Sequence, residues 1–145
     1  MGNTKYINDY EQSKALFEKY KKVVKPQMCY NNIFHVASNE IQRLKNDNLK
    51  IAYGFISVDE DEMLYARHCF LLDGNTVIDP TIIANHEGVE QHRAYLVFKV
   101  FDSFKEYFDA IENERGHYPA LDSTLRRIDL EFRKEQQKNH KFFIS

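Results

Sequence analysis

The chain has no tryptophan and only two cysteines among 145 residues. Cys29 and Cys69 are too few for a disulfide framework or a four-cysteine zinc site, so reduced thiols are expected. No run approaches the roughly 20 apolar residues that span a bilayer. Met1-Gly2-Asn3-Thr4-Lys5-Tyr6 leads into no apolar signal core, and Tyr6 stands where a myristoylation pattern wants Ser or Thr. A cytoplasmic protein without a membrane partner is expected. A basic excess is also absent, because 20 Lys and Arg stand against 22 Asp and Glu for a formal charge of -2. That balance argues against a nucleic-acid partner, whose affinity rests on clustered cations. With neither an internal repeat, a low-complexity segment nor a dividing linker, residues 1–145 read as a single domain.

The composition is that of an ordinary globular chain, 43% hydrophobic and 29% charged. From Asn8 to Val24, Tyr10, Leu16, Phe17, Tyr20, Val23 and Val24 recur at helical spacing, and Pro26 ends the pattern. A second helix starts near Cys29 and carries Ile33, Phe34, Val36, Ala37, Ile41 and Leu44, up to the turn-forming Asn46-Asp47-Asn48. Ile51 to Val58 reads as a strand in which Gly54 suggests a bulge or a close backbone approach. Pro80 to Gln91 reads as a surface loop flanking a site. A strand follows from Tyr95 to Phe101, then a helix from Phe104 to about Glu114, closed by Gly116-His117-Tyr118-Pro119. A last helix runs from Asp122 to about Lys138, and Phe142-Phe143-Ile144 either adds a strand or packs on the core.

The most informative stretch is Ala66 to Thr81. Asp73-Gly74 between apolar runs signals a two-residue type I′ hairpin. Pairing Leu72 with Asn75 and counting outward sets Cys69 against Ile78 and His68 against Asp79, with the last two on one face. A carboxylate beside an imidazole fixes its tautomer and stabilises the imidazolium formed when the ring takes a proton. Cys29, at a helix start, sits by free backbone N–H groups and the positive end of the macrodipole, which favour a thiolate. In this arrangement Cys29 attacks an acyl carbon, His68 moves the proton and Asp79 holds the ring. Helix-start N–H groups, with Gln27 or Asn32 as side-chain donors, would receive the oxyanion. Tyr53 completes the oxyanion and substrate-binding candidates; with Phe55 and Phe70 it either lines a pocket or fills the strand core.

Each member also has a plain structural reading. Free cysteines are among the most buried residues, a histidine can be satisfied in a core, and Asp79-Pro80-Thr81 can be a strand-ending turn. The combination of residue types and placement carries the catalytic reading. His35 is the rival base, but a spacing of six from Cys29 puts it on another helix face. His86 and His92 with Glu87 or Glu90 have zinc-ligand chemistry, yet their spacing matches no helix-borne H-E-x-x-H. Cys69 lies on the opposite hairpin face from His68, and His117 and His140 have no visible partner.

Gln27-Met28-Cys29-Tyr30-Asn31-Asn32 before a helix, Tyr53-Gly54-Phe55, Arg67-His68-Cys69-Phe70 and Val77-Ile78-Asp79-Pro80-Thr81 together resemble the papain-like and transglutaminase-like cysteine-hydrolase superfamily. The chain is most similar to small bacterial and phage members with a C-Y-x-N helix start, a Y-x-G strand, an H-x-W strand and a V-x-D-x-T ending. The resemblance covers residues 27–81. It implies an α+β fold, with an antiparallel sheet packed against helices and the nucleophile at a helix N-terminus. It also implies Cys-His-Asp acyl chemistry on a protein or peptide, with no metal or cofactor. Phe70 replaces the usual Trp, Cys69 replaces a small residue, and adjacent Tyr53-Gly54 replaces a spaced pair; these departures bear on substrate choice. Hydrolase, deamidase and transglutaminase-like transfer all remain open. The competing reading is a catalytically inactive binding or inhibitor module on the same fold, with Asp59-Glu60-Asp61-Glu62 as its contact surface unless that run is merely a solvated loop.

Overall fold

A computed structural model describes residues 5–86, 89–113 and 123–144. In chain order the elements are β1 (Tyr6–Asn8), α1 (Tyr10–Tyr20), α2 (Cys29–Asn39), α3 (Ile41–Asn46), β2 (Lys50–Ser57), β3 (Leu64–Asp73) and β4 (Thr76–Ile78). They continue as α4 (Pro80–Asn85), β5 (Ala94–Phe101), α5 (Phe104–Asn113), α6 (Ser123–Gln137) and β6 (Phe142–Ile144). The mixed α+β class agrees with the sequence, but the sheet is not an antiparallel layer laid on helices. Its order β2-β5-β1-β4-β3 closes through a further β2–β3 pairing into a five-stranded barrel, and β6 adds to the outer edge of β3. Two of the pairings, β1 with β4 and β3 with β6, are parallel.

Closure depends on β1, which bridges β4 and β5. Tyr6–Asn8 is too short to show a two-residue period and abuts a helix pattern, so Asn8 reads as helical in the sequence although it is a strand end. Asp9 makes the transition by accepting a hydrogen bond from the Gln12 N–H at 3.0 Å, a side-chain N-cap for α1.

Strand alternation sorts the core into two sides. Ala52, Ile56, Phe70, Leu72, Tyr95 and Val97 pack together with Ile82 and Ile83 of α4. Tyr53, Phe55, Cys69, Leu71, Leu96 and Phe98 turn the other way, under the apolar faces of α2, α5 and α6. Gly54 sits where both expected features occur together. A Cβ there would lie 1.9 Å from the Leu96 carbonyl oxygen. Beside it the register slips, with Tyr53 opposite Lys99 and Gly54 opposite Val97, so Phe98 is the extra residue of a bulge.

The β3–β4 hairpin differs from its sequence reading by one residue on each strand. Leu72 pairs with Val77 and Asp73 with Thr76, so the loop is Gly74-Asn75 and not Asp73-Gly74. Only Gly74 takes a positive φ, 61°, which fits glycine at the first central position of a type II′ turn and not the type I′ turn expected. A slip of one residue on each strand keeps face parity, so His68 and Asp79 still share a face, as diagonal rather than directly opposed neighbours.

The expected loop from Pro80 contains a helix instead. Asp79 Oδ1 accepts from the N–H groups of Thr81 and Ile82, Pro80 occupies the first turn, and Ile82 and Ile83 are buried. Apolar residues confined to six positions gave too little periodicity to betray it. Glu87, Glu114, Gly116-His117-Tyr118-Pro119 and Asp122 lie outside the described residues.

Candidate active site

The outer edge of β3 is covered in two pieces. β6 pairs with Leu64 to Ala66 and β4 with Leu71 to Asp73, which leaves Arg67 to Phe70 flanked by neither. His68 stands in that gap, directly opposite Gly54 of β2, with its ring 5.9 Å from that of Phe70.

Asp79 meets it from the end of β4. His68 Nε2 lies 2.8 Å from Asp79 Oδ2, and the Tyr95 phenol donates to the same oxygen at 2.7 Å. With the α4 cap on Oδ1, the fully buried carboxylate has four hydrogen-bond partners. Its own backbone N–H donates to Ser13 Oγ at 2.8 Å, which ties the turn to α1. A buried anion is tolerable only when so satisfied. Burial works against the charged form of the His68 ring, but the Asp79 charge, the Asp79 hydrogen bond and the nearby Cys29 outweigh it and raise its proton affinity above the ordinary range. The Tyr95 phenol is held protonated by burial and by Asp79, so it remains a donor.

Cys29 is the first residue of α2, as the sequence predicts, and is half-buried. The preceding chain turns sharply at Gln27, whose φ is 62°, and the Gln27 N–H donates to Asn85 Oδ1 at 2.7 Å, linking this loop to the end of α4. Met28 at the N-cap makes no side-chain hydrogen bond to the first N–H groups of α2. Since Nε2 of His68 is engaged by Asp79, Nδ1 is the nitrogen left to face the thiol. Cys29, His68 and Gln27 border one groove of about 540 Å³, whose lining also includes Ile56, Ala66, Thr81, Ile82, Arg93 and Ile144.

Two of the expected substrate-binding residues are elsewhere employed. Asn32 is fully buried, and its amide donates to the Lys25 carbonyl and to Thr81 Oγ1 while accepting from the Lys25 N–H. Both amide protons are thus used in holding the loop before α2 and joining α2 to α4, which leaves none for an oxyanion. Tyr53 is fully buried, packed edge-on against Tyr30 and Phe101, and does not border the groove. Phe55 and Phe70 are likewise core residues. Gln27 alone of the three is exposed at the groove.

His35 lies against Phe34 and does not border the groove. His86 borders it, whereas Glu90 and His92 line a separate cavity of about 670 Å³ with Lys5, Tyr10, Glu60 and Glu62. Among the described residues no group of three or more His, Cys, Asp or Glu side chains is placed to hold a metal ion. None of the helices described is long and apolar enough to cross a membrane.

No sequence signal marks Ser13, Tyr95 or Arg93 as site residues. Ser13 is an interior position of an amphipathic helix, and Tyr95 is one aromatic in an apolar strand. Only the barrel's closure brings both to Asp79. Comparisons of the chain with protein-family models, curated proteins and solved structures found no match.

Proposed function

We propose that this protein is a cysteine-dependent acyl-transfer enzyme of papain-like or transglutaminase-like type, acting on an amide or thioester of a protein or peptide. The observation that carries this reading is a helix-start thiol and an imidazole bordering one groove, with a buried carboxylate bonded to the imidazole from behind. These three groups are separated by 39 and 11 residues in the chain (68 minus 29, 79 minus 68) and arrive on α2, β3 and the β4–α4 turn. A histidine needed only for packing would have no reason to share a groove with a cysteine while bonded behind to a fully satisfied carboxylate.

The chemistry follows from the positions. With the proton from Cys29 already held on His68 as an imidazolium, Sγ attacks the acyl carbon as the thiolate, and the carbonyl oxygen becomes an oxyanion facing the first N–H groups of α2, with Gln27 at the rim. The tetrahedral intermediate collapses, His68 gives the proton to the leaving amine or thiolate, and an acyl-thioester on Cys29 remains. Water or an amine then attacks this thioester, with His68 as base, and Cys29 is regenerated. Asp79 keeps Nε2–H oriented and balances the imidazolium at both stages.

The test is acylation by p-nitrophenyl acetate. The reading predicts a p-nitrophenol burst stoichiometric with enzyme and an acetyl group on the Cys29 peptide, both absent in Cys29→Ser and in His68→Ala. Acetylation spread over lysines, with no burst, would leave the inactive binding module as the better account.

A further inference from the structure

We infer that the acyl substrate carries an anionic oxygen-bearing group, a carboxylate or a phosphoryl group, and that Arg93 seats it beside Cys29 and His68; this rests on the acyl-transfer reading above. Among the described residues, Arg67 and Arg93 border the groove beside His68, and no Asp or Glu does. A cleft lined this way focuses a positive potential on whatever enters.

The two arginines differ in how they are employed. Arg67 is committed to Asp129 of α6, which also pairs with Arg133. Arg93 is half-buried and forms neither ion pair nor hydrogen bond with any other described residue. It also borders the second cavity, but of the acids there Glu62 pairs with Lys5, and Glu60 and Glu90 make no ion pair with Arg93. An arginine at the groove that is tied to no described acid has its guanidinium available to a ligand. Its planar fork matches a carboxylate or a phosphate in bidentate fashion.

The position of Arg93 is also well defined. The next residue, Ala94, begins β5 and its N–H donates to buried Ser57 Oγ at 2.9 Å. Two residues after Arg93, Tyr95 reaches Asp79. One extended segment therefore carries both the support of the histidine–carboxylate pair and the cation at the groove.

Alkylation separates this inference from the reading it rests on, because iodoacetate and iodoacetamide differ in charge and little else. The rate ratio of iodoacetate to iodoacetamide at Cys29 should fall roughly threefold to fivefold in Arg93→Gln, the scale of one partly screened charge pair. Arg93→Lys should keep most of the ratio, and Lys45→Gln, an equal charge change away from the groove, should leave it unaltered. Iodoacetamide alkylation in Arg93→Gln should remain dependent on His68, which reports an intact site. Protection of Cys29 from iodoacetamide by glutarate, lost in Arg93→Gln, assigns a carboxylate; protection by inorganic phosphate in its place assigns a phosphoryl group. An unchanged ratio with fast, His68-dependent iodoacetamide alkylation, or protection by neither anion at millimolar concentration, overturns the inference and leaves the triad standing. Slow alkylation independent of His68 overturns the acyl-transfer reading itself, and the inference with it.

Discussion

Tyr95 and His68 meet on one atom: the phenol donates to Asp79 Oδ2 at 2.7 Å, and the imidazole Nε2 lies 2.8 Å from the same oxygen. Tyr95→Phe removes one donor from a carboxylate that has no access to water. The expected cost is about 1–3 kcal/mol, the penalty of leaving a buried acceptor short of a partner. Urea unfolding should show a lower midpoint at an unchanged slope. An unchanged midpoint would mean that the phenol does not support the carboxylate.

The His68–Asp79 pair makes stability depend on pH with a defined sign. The folded protein raises the proton affinity of His68 above its ordinary value of 6.5, chiefly because Asp79 overcomes the penalty of burial. The folded state therefore holds the proton more tightly than the unfolded chain. The resulting stabilisation is fully present below pH 6.5 and is lost as pH rises from there through the higher folded-state value. The stability difference between the wild type and His68→Gln, followed by urea unfolding at a series of pH values, should shrink on the alkaline side. A difference that is flat or growing over that window contradicts the assignment.

Asp79 has two duties that two substitutions can separate. Asn is a good N-cap, so Asp79→Asn should keep α4 while withdrawing the charge that favours the imidazolium. Asp79→Ala loses both, at an additional cost of about 0.5–2 kcal/mol for the cap. Calorimetry should rank the wild type above Asp79→Asn and that above Asp79→Ala, whereas Cys29 alkylation should be slowed by both variants. Equal stability of the two variants would show that the α4 cap contributes little.

Gly54 is where the barrel allows least change. Gly54→Ala drives a methyl group onto the Leu96 carbonyl, a backbone atom that cannot swing aside. A loss of about 1–3 kcal/mol is expected, as for overpacking. Because Gly54 is the cross-strand partner of His68, the displacement should also slow Cys29 alkylation. Wild-type stability in this variant would show that the bulge can absorb a side chain.

The site was more legible in the sequence than the barrel that holds it. Cys29 is marked by Pro26 before a helical period, and the His68–Asp79 face by a glycine turn; face parity survives a two-sided register slip, so the pairing came out on the correct face from the wrong register. The barrel was hidden because its closing strand, Tyr6–Asn8, spans three residues, and because α4 is held by a cap and burial, not by a long apolar stripe. Asn32 misled for a physical reason. An amide one turn into the helix is as well placed to staple the preceding loop as to receive an oxyanion, and only its partners Lys25 and Thr81 tell the two apart.

The central claim is the coupling of Cys29 to His68, and the most direct measurement of it is the pH dependence of iodoacetamide alkylation, read by mass spectrometry in the wild type and in His68→Ala. Fully buried Cys69 is the internal control. The account predicts that Cys29 is alkylated faster than an ordinary thiol and that the advantage vanishes in His68→Ala. Alkylation of Cys29 that follows an ordinary thiol profile with or without His68 would contradict it.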